Sequence, residues 1–296
     1  MEQEAPITEF LGKLILGLIQ GVAEVFPISS SGHLAMTRRI LQDILGLRGI
    51  PFEVAVFLHF GTFVAILLFY QKDVVSLWHS AITSLLKTVG QSLMRTQNPS
   101  TTHELGEKTP FFLLISLFLT GILGLGLRAI AEQWFENPLI IGGLLVLNGL
   151  LVYLTGQFSS GNRRIRDLGV RDYVIIGLAQ GLAVIPGLSR LGFTLCAGLW
   201  RKMEWFEALK LSFLLSFPTV VAAGFLELVE YLPDRSLTAV EVMSMAIGVL
   251  AATVGGYLAI RVLLEQSLHA RKRLISFGIY CMALGLFCSA YVAFLG

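Results

Sequence analysis

Glu24 follows Gln20 by four residues, so in a helix the two project from one face. Pro27 then ends that helix, and Ser29, Ser30, Ser31, Gly32 and His33 come next. A second stretch, PGLSRLGFT, supplies Gly187, Ser189, Arg190 and Thr194. An arginine is always charged and presents a planar fork suited to phosphate oxygens. Glycines let backbone N–H groups approach an anion, and a following helix N-terminus adds a favourable dipole. Carboxylate, amide, hydroxyls, imidazole and guanidinium together make the set that phosphoryl chemistry needs. They offer positive charge for the equatorial oxygens, a positioned nucleophile, a proton donor or acceptor near neutrality, and a carboxylate able to hold a divalent cation. Each group also has a plainer use. Glu24 could make an interhelical hydrogen bond, His33 could cap a helix, and Arg190 could snorkel to headgroups.

The elements that must position these groups are membrane helices. Of 296 residues 55% are apolar and 14% charged, with a mean hydropathy of +0.74, outside the range of a soluble domain. A net charge of +2 gives no footprint for nucleic acid. The first ten residues, MEQEAPITEF, are acidic, so no cleaved targeting segment is expected. Cys196, Cys281 and Cys288 lie in apolar runs without metal-like spacing and read as small buried hydrophobes. Uncharged runs near the length of a crossing occur at Val54–Gln71, Thr109–Leu127, Asn137–Asn162, Leu211–Leu226, Val242–Ile260 and Leu274–Gly296. Two more segments, Leu11–Met36 and Tyr173–Trp200, are hydrophobic but broken by Pro, Gly, Ser and charge. They hold the candidate chemistry.

Basic clusters suggest how these segments are sided. Arg163, Arg164, Arg166 and Arg171 precede the second broken segment, and Arg201 and Lys202 follow it. Arg261, Arg271, Lys272 and Arg273 separate the last two spans. All should be cytoplasmic, so Tyr173–Trp200 is expected to enter and leave on one side as a re-entrant hairpin. Glu227–Glu241 is then outside, Arg128–Glu136 outside, Lys72–Lys108 inside, and the N-terminus outside. Leu11–Met36 dips in from the opposite face, which leaves Arg38, Arg39 and Arg48 against the rule or held by an anionic partner. The broken segments also match each other: ILGLIQGVAEVFPISSSG beside IIGLAQGLAVIPGLSRLG. Gly17, Leu18, Gln20, Gly21, Ala23 and Pro27 find counterparts in Gly177, Leu178, Gln180, Gly181, Ala183 and Pro186. A repeat read in opposite orientations predicts a single integral membrane domain, 1–296, with halves of approximately 1–160 and 161–296. The fold class is an all-α polytopic membrane protein with six transmembrane helices and two re-entrant hairpins in an inverted repeat. Irregular backbone at membrane depth is tolerated where it lines a cavity or is buried in protein, so both tips should meet at one polar site. Residue chemistry alone leaves hydrolysis and transport of a phosphorylated ligand both open.

QGVAE, PISSSGH and PGLSRLGFT, in this order, resemble the motifs of the undecaprenyl pyrophosphate phosphatases of the bacitracin-resistance type. The likeness extends to FEVAVFLHFGTFVAILLFY at Phe52–Tyr70 and LSFLLSFPTVVAAG at Leu211–Gly224, nearly the whole chain. It implies hydrolysis of a polyprenyl diphosphate to the monophosphate and inorganic phosphate with Mg²⁺ or Ca²⁺. That reaction recycles the lipid carrier of peptidoglycan synthesis and confers resistance to bacitracin, which acts on the lipid substrate rather than on the protein. It further implies a multi-pass protein of the bacterial inner membrane whose site faces the extracytoplasmic side.

Carried onto this chain, Glu24 with Gln20 would hold the metal or organise the diphosphate. Ser30 would be nucleophile or phosphate ligand, His33 acid or base, and Arg190 with Ser189 and Thr194 the phosphate binders, with Ser29, Ser31, Gly32 and Gly187 lining the substrate. Two positions depart from the family pattern. Leu191 stands where a serine usually follows the arginine, and Gln20 where a carboxylate is common, so the metal's ligand shell is thinner here. A transporter or flippase for a phosphorylated lipid is the rival reading, because broken helices in inverted repeats also serve transport. Gly142, Gly143 and Gly149 could pack helices within one chain or between the protomers of a homo-oligomer.

Overall fold

A computed structural model describes residues 4–45, 54–88, 108–135, 137–158, 161–231, 238–265 and 270–295. The helices run in chain order as α1 (Glu4–Val25), α2 (Ser30–Leu45), α3 (Val54–Thr88), α4 (Thr109–Phe135), α5 (Pro138–Phe158), α6 (Val170–Leu182), α7 (Arg190–Trp200), α8 (Trp205–Tyr231), α9 (Ala239–Glu265) and α10 (Ala270–Leu295). Six of them are long and apolar enough to cross a membrane: α3, α4, α5, α8, α9 and α10. Each holds one of the six runs expected from hydropathy, although α5 covers only Pro138–Phe158 of Asn137–Asn162 and α10 is described as far as Leu295. On α4, Phe111, Leu114, Phe118, Ile122 and Leu125 are each more than half exposed at helical spacing, a face fit for lipid.

Helix ends differ from the apolar runs because charge ends the hydrocarbon-compatible stretch without ending the helix. α3 continues past Gln71, Lys72 and Asp73 to Thr88, with a kink where Tyr70 leaves helical geometry at φ −102°, ψ 21°. The expected cytoplasmic connection is thus helical as far as Thr88, and its residues 89–107 lie outside the described residues, as do 232–237 of the acidic segment and Arg48. Arg39 is paired with Asp43 one turn on, at 2.7 Å.

The two broken segments are helix–break–helix units, α1 with α2 and α6 with α7. Each first limb packs on a long helix distant in sequence: α1 on α9, α6 on α4. Glycines permit both approaches. A Cβ at Gly21 would lie 2.7 Å from the Gly256 nitrogen, and one at Gly177 2.6 Å from Ser116 Cα. The G-x-x-x-G spacing shared by the two segments therefore marks equivalent packing faces. Thr120 Oγ1 donates to the Gly177 carbonyl at 3.1 Å, and Ser116 Oγ to that of Tyr173. Buried Lys13 on α1 is satisfied by Glu9 and by Ser244 Oγ of α9 at 2.7 Å. α5 and α10 pack against each other through Gly142 with Gly285 and Gly149 with Gly278, so those two α5 glycines are used within the chain, while Gly143 has no atom within 4 Å of a Cβ position. All three cysteines are buried and free.

The foot of the second unit is clamped by Asp172. Its carboxylate accepts from Arg163 at 2.8 and 3.3 Å, from Arg201 Nε at 2.6 Å and from the Gly169 N–H at 2.8 Å. The chain before α6 is thereby tied to the end of α7. Burial alone would push the Asp172 carboxyl up, but the donors outweigh it and hold it below the ordinary carboxylate range. A carboxyl depressed by folding stabilises above its unfolded value, about 3.9, and that contribution is lost as pH falls through the folded value. Asp172→Asn should therefore lower the melting temperature in detergent at pH 7, with the gap to the parent protein closing as pH is taken toward 3. A gap independent of pH would show that Asp172 is not held as the anion.

Candidate active site

At the first tip, the chain turns through Phe26 to Ser29. Ser29 adopts φ +70°, a left-handed conformation uncommon outside glycine, and is fully buried. Its hydroxyl accepts from the Gly32 N–H at 3.2 Å and so caps α2. At the second tip, Ser189 caps α7 in the same way, accepting from the Gly192 N–H at 3.0 Å. Gly187, at φ +91°, cannot be replaced freely, since a Cβ there would also lie 2.8 Å from that of Leu144.

The tips are bound to each other. Ser31 Oγ accepts from the Gly187 N–H at 3.1 Å. Asn148, fully buried on α5, donates through Nδ2 to the Pro27 carbonyl at 3.2 Å and accepts at Oδ1 from the Ser189 N–H at 2.9 Å. A carbonyl that only accepts and an N–H that only donates settle the orientation of this amide.

Equivalent capping makes Ser30 and Arg190 equivalent residues, each the first of its helix. Both reach Glu24, whose side chain is 6% exposed. Ser30 Oγ donates a short hydrogen bond to Glu24 Oε2, and Arg190 Nη2 lies 3.3 Å from Oε1. Gln20 Nε2 donates to Oε2 at 3.2 Å, and His59 Nε2 of α3 stands 3.5 Å from the same oxygen. Arg190 Nη1 and Gln20 Oε1 are buried with no hydrogen-bond partner among the described residues. A donor and an acceptor left over at one ion pair are open to a ligand. The first turns of α2 and α7 both start here, adding the positive ends of two helices.

His33 makes its ring hydrogen bonds outside that cluster. Its ring binds the Ser29 carbonyl through Nδ1 at 2.7 Å and Tyr280 Oη through Nε2 at 2.8 Å. Thr194 Oγ1 donates back to the carbonyls of Arg190 and Leu191, at 2.9 and 3.2 Å. The hydroxyls of Ser29, Ser31, Ser189 and Thr194 thus each have a partner within the tips, and Gly32 packs against Leu145 of α5.

Three residues of this constellation are absent from the sequence reading. His59 was legible as an ionisable group inside an apolar span, FLHFG. Asn148 was legible as a lone amide in LLVLNGLL. Tyr280, in a run with many aromatics, gave no signal that periodicity or composition could raise.

Comparison with known proteins places this geometry in a family. Residues 13–287 match the family described as bacitracin resistance protein BacA. An undecaprenyl-diphosphatase of Methanosphaera stadtmanae is 32% identical over 281 residues, covering 94% of this chain and 96% of its own. That of Halothermothrix orenii is 31% identical, covering 94% and 96%, and that of Myxococcus xanthus 33% identical, covering 93% and 86%. The match runs from before the first tip to near the end of α10, so both tips, Glu24 and Arg190 fall inside it, and the chain belongs to the BacA family.

Proposed function

We propose that this protein is an integral membrane undecaprenyl-diphosphatase, which hydrolyses the polyprenyl diphosphate to its monophosphate and inorganic phosphate. It thereby returns the lipid carrier to peptidoglycan synthesis and gives bacitracin resistance. The observation that carries the reading is the Glu24 carboxylate held between Ser30 of one tip and Arg190 of the other. Arg190 Nη1, with no protein partner, offers its N–H to a diphosphate oxygen, and the N-termini of α2 and α7 add charge of the same sign. Ser30 Oγ already points its hydrogen at Glu24, so Glu24 is placed to take the proton as an oxygen, that of Ser30 or of water, attacks phosphorus. His59 Nε2 stands 3.5 Å from the Glu24 oxygen that would receive that proton.

A divalent cation fits the donor set modestly. No group of three or more His, Cys, Asp or Glu that could hold a metal occurs among the described residues. Mg²⁺, however, is commonly held by one or two carboxylates with substrate phosphates and water. Glu24 with the unpartnered Gln20 Oε1 would supply the protein's share for Mg²⁺ or Ca²⁺. Such an ion would neutralise phosphate charge that builds up in the reaction.

The paired first limbs, the matched serine caps and the exchange of packing partners between α1–α9 and α6–α4 support an inverted repeat in one integral domain. In this arrangement the two broken units are re-entrant hairpins from opposite faces of a bacterial inner membrane. The site is reached from the extracytoplasmic side, and bacitracin acts on the lipid substrate. Purified protein should release phosphate from undecaprenyl diphosphate catalytically, and chelation should stop release until Mg²⁺ or Ca²⁺ is restored. Lipid movement across proteoliposomes without phosphate release would replace the hydrolase by the transporter reading.

A further inference from the structure

Tyr280 has one hydrogen bond among the described residues, and it goes to the candidate acid–base histidine. The bonding of the ring fixes its tautomer. The Ser29 carbonyl can only accept, so the hydrogen of this 2.7 Å contact belongs to His33 Nδ1. In the neutral ring Nε2 then carries the lone pair, and the 2.8 Å contact there is a bond donated by the Tyr280 hydroxyl. Several features hold the pair. The two rings stack, with centroids 5.6 Å apart and planes at 22°. The Ser29 carbonyl also accepts the His33 backbone N–H at 3.2 Å, from a buried residue in left-handed conformation. The neighbour of Tyr280, Cys281, packs its thiol on the Ile28 carbonyl, so α10 abuts the tip at this level. Tyr280 is itself 45% exposed, and its hydrogen bond to His33 is not buried.

We infer that Tyr280 is a positioning residue for the phosphatase reaction: while the Ser29 carbonyl keeps the proton on His33 Nδ1, the Tyr280 hydroxyl and its stacked ring fix the direction in which Nε2 points. The inference rests on the hydrolase reading for its kinetic part and on the ring geometry alone for its structural part.

Tyr280→Phe removes the hydroxyl and keeps the stacked ring. Histidine labelled with ¹⁵N, in detergent, should show His33 of the parent protein as a single tautomer with the proton on Nδ1, assigned by loss of its signals in His33→Gln. In Tyr280→Phe the Nε2 signal should move while the proton stays on Nδ1, which the Ser29 carbonyl still holds, with melting temperature retained. kcat should fall about tenfold, the worth of one hydrogen bond, with KM within about twofold. An unchanged His33 spectrum overturns the inference, and so does an altered spectrum with parental kcat. So does a rise in KM alone, which would make Tyr280 a substrate contact. If the parent protein releases no phosphate, the hydrolase reading fails, and the spectra still decide whether the Tyr280 hydroxyl bonds Nε2.

Discussion

Glu24→Gln and Arg190→Ala should each reduce phosphate release by about a thousandfold, and the double variant should be scarcely worse than either. Glu24 is a shared acceptor, taking Ser30 on one oxygen and Arg190 on the other. Removing its charge leaves Ser30 without a base and Arg190 without an anion. Removing the guanidinium takes away the donor for phosphate and frees Glu24 from the pair that fixes its direction. Residues that act as one unit give grossly non-additive losses.

Stability should follow a different pattern. Either single variant strands a charge in a site where the Glu24 and Arg190 side chains are 6% and 20% exposed, and breaking such a pair costs about 3–5 kcal/mol. Glu24→Gln with Arg190→Met strands neither charge, so its melting temperature should recover while its activity does not. Arg190→Lys keeps the charge but loses the planar fork and should restore little turnover. Phosphate release and thermal unfolding on the same preparations check this. Additive losses in activity would mean that the two residues serve separate steps.

Much of this arrangement could be read from the chain because its causes are local. Pro27 and Pro186 lie in the breaks between helices, Ser29 and Ser189 restart them, the glycines at 17, 21 and 177 lie where another backbone comes close, and Gly181 lies where the Leu123 side chain does. Residue type alone drew attention to Glu24, Ser30 and Arg190, since each is costly at membrane depth unless partnered. Other parts depend on which helices become neighbours. His59 meets Glu24 because α3 packs beside α1, and Tyr280 meets His33 because α10 packs on α5 and abuts the first tip. A spacing rule within one helix carries no information about either. The same gap explains the ends of α3, whose helix outlasts its apolar run: hydropathy measures where lipid stops, not where backbone hydrogen bonding does.

Asn148 is the third kind of case, a residue whose type suggested nothing beyond a buried amide and whose place makes it the joint between the two tips. Asn148→Leu should lower kcat about a hundredfold, the scale expected when reacting groups are displaced by about 1 Å. It should also destabilise the fold, because the substitution strands the Pro27 carbonyl and the Ser189 N–H, both held by Asn148 at present. Each buried group left unsatisfied costs about 1–3 kcal/mol. The loss falls on the chemistry because these two groups adjoin the turns that launch Ser30 and Arg190, one from each tip. Glu24 can be reached by both only while the tips keep their spacing. Asn148→Asp supplies a contrast: it keeps an acceptor for the Ser189 N–H but, when ionised, sets an oxygen against the Pro27 carbonyl in place of a donor. It should retain the second tip and lose the first. Leu147→Ala, one residue away and 50% exposed, should change neither activity nor melting temperature by comparison. Steady-state kinetics with melting on the three variants gives the answer. Parental turnover in Asn148→Leu would mean that the Ser31–Gly187 hydrogen bond and the packing of α2 and α7 hold the tips together without it.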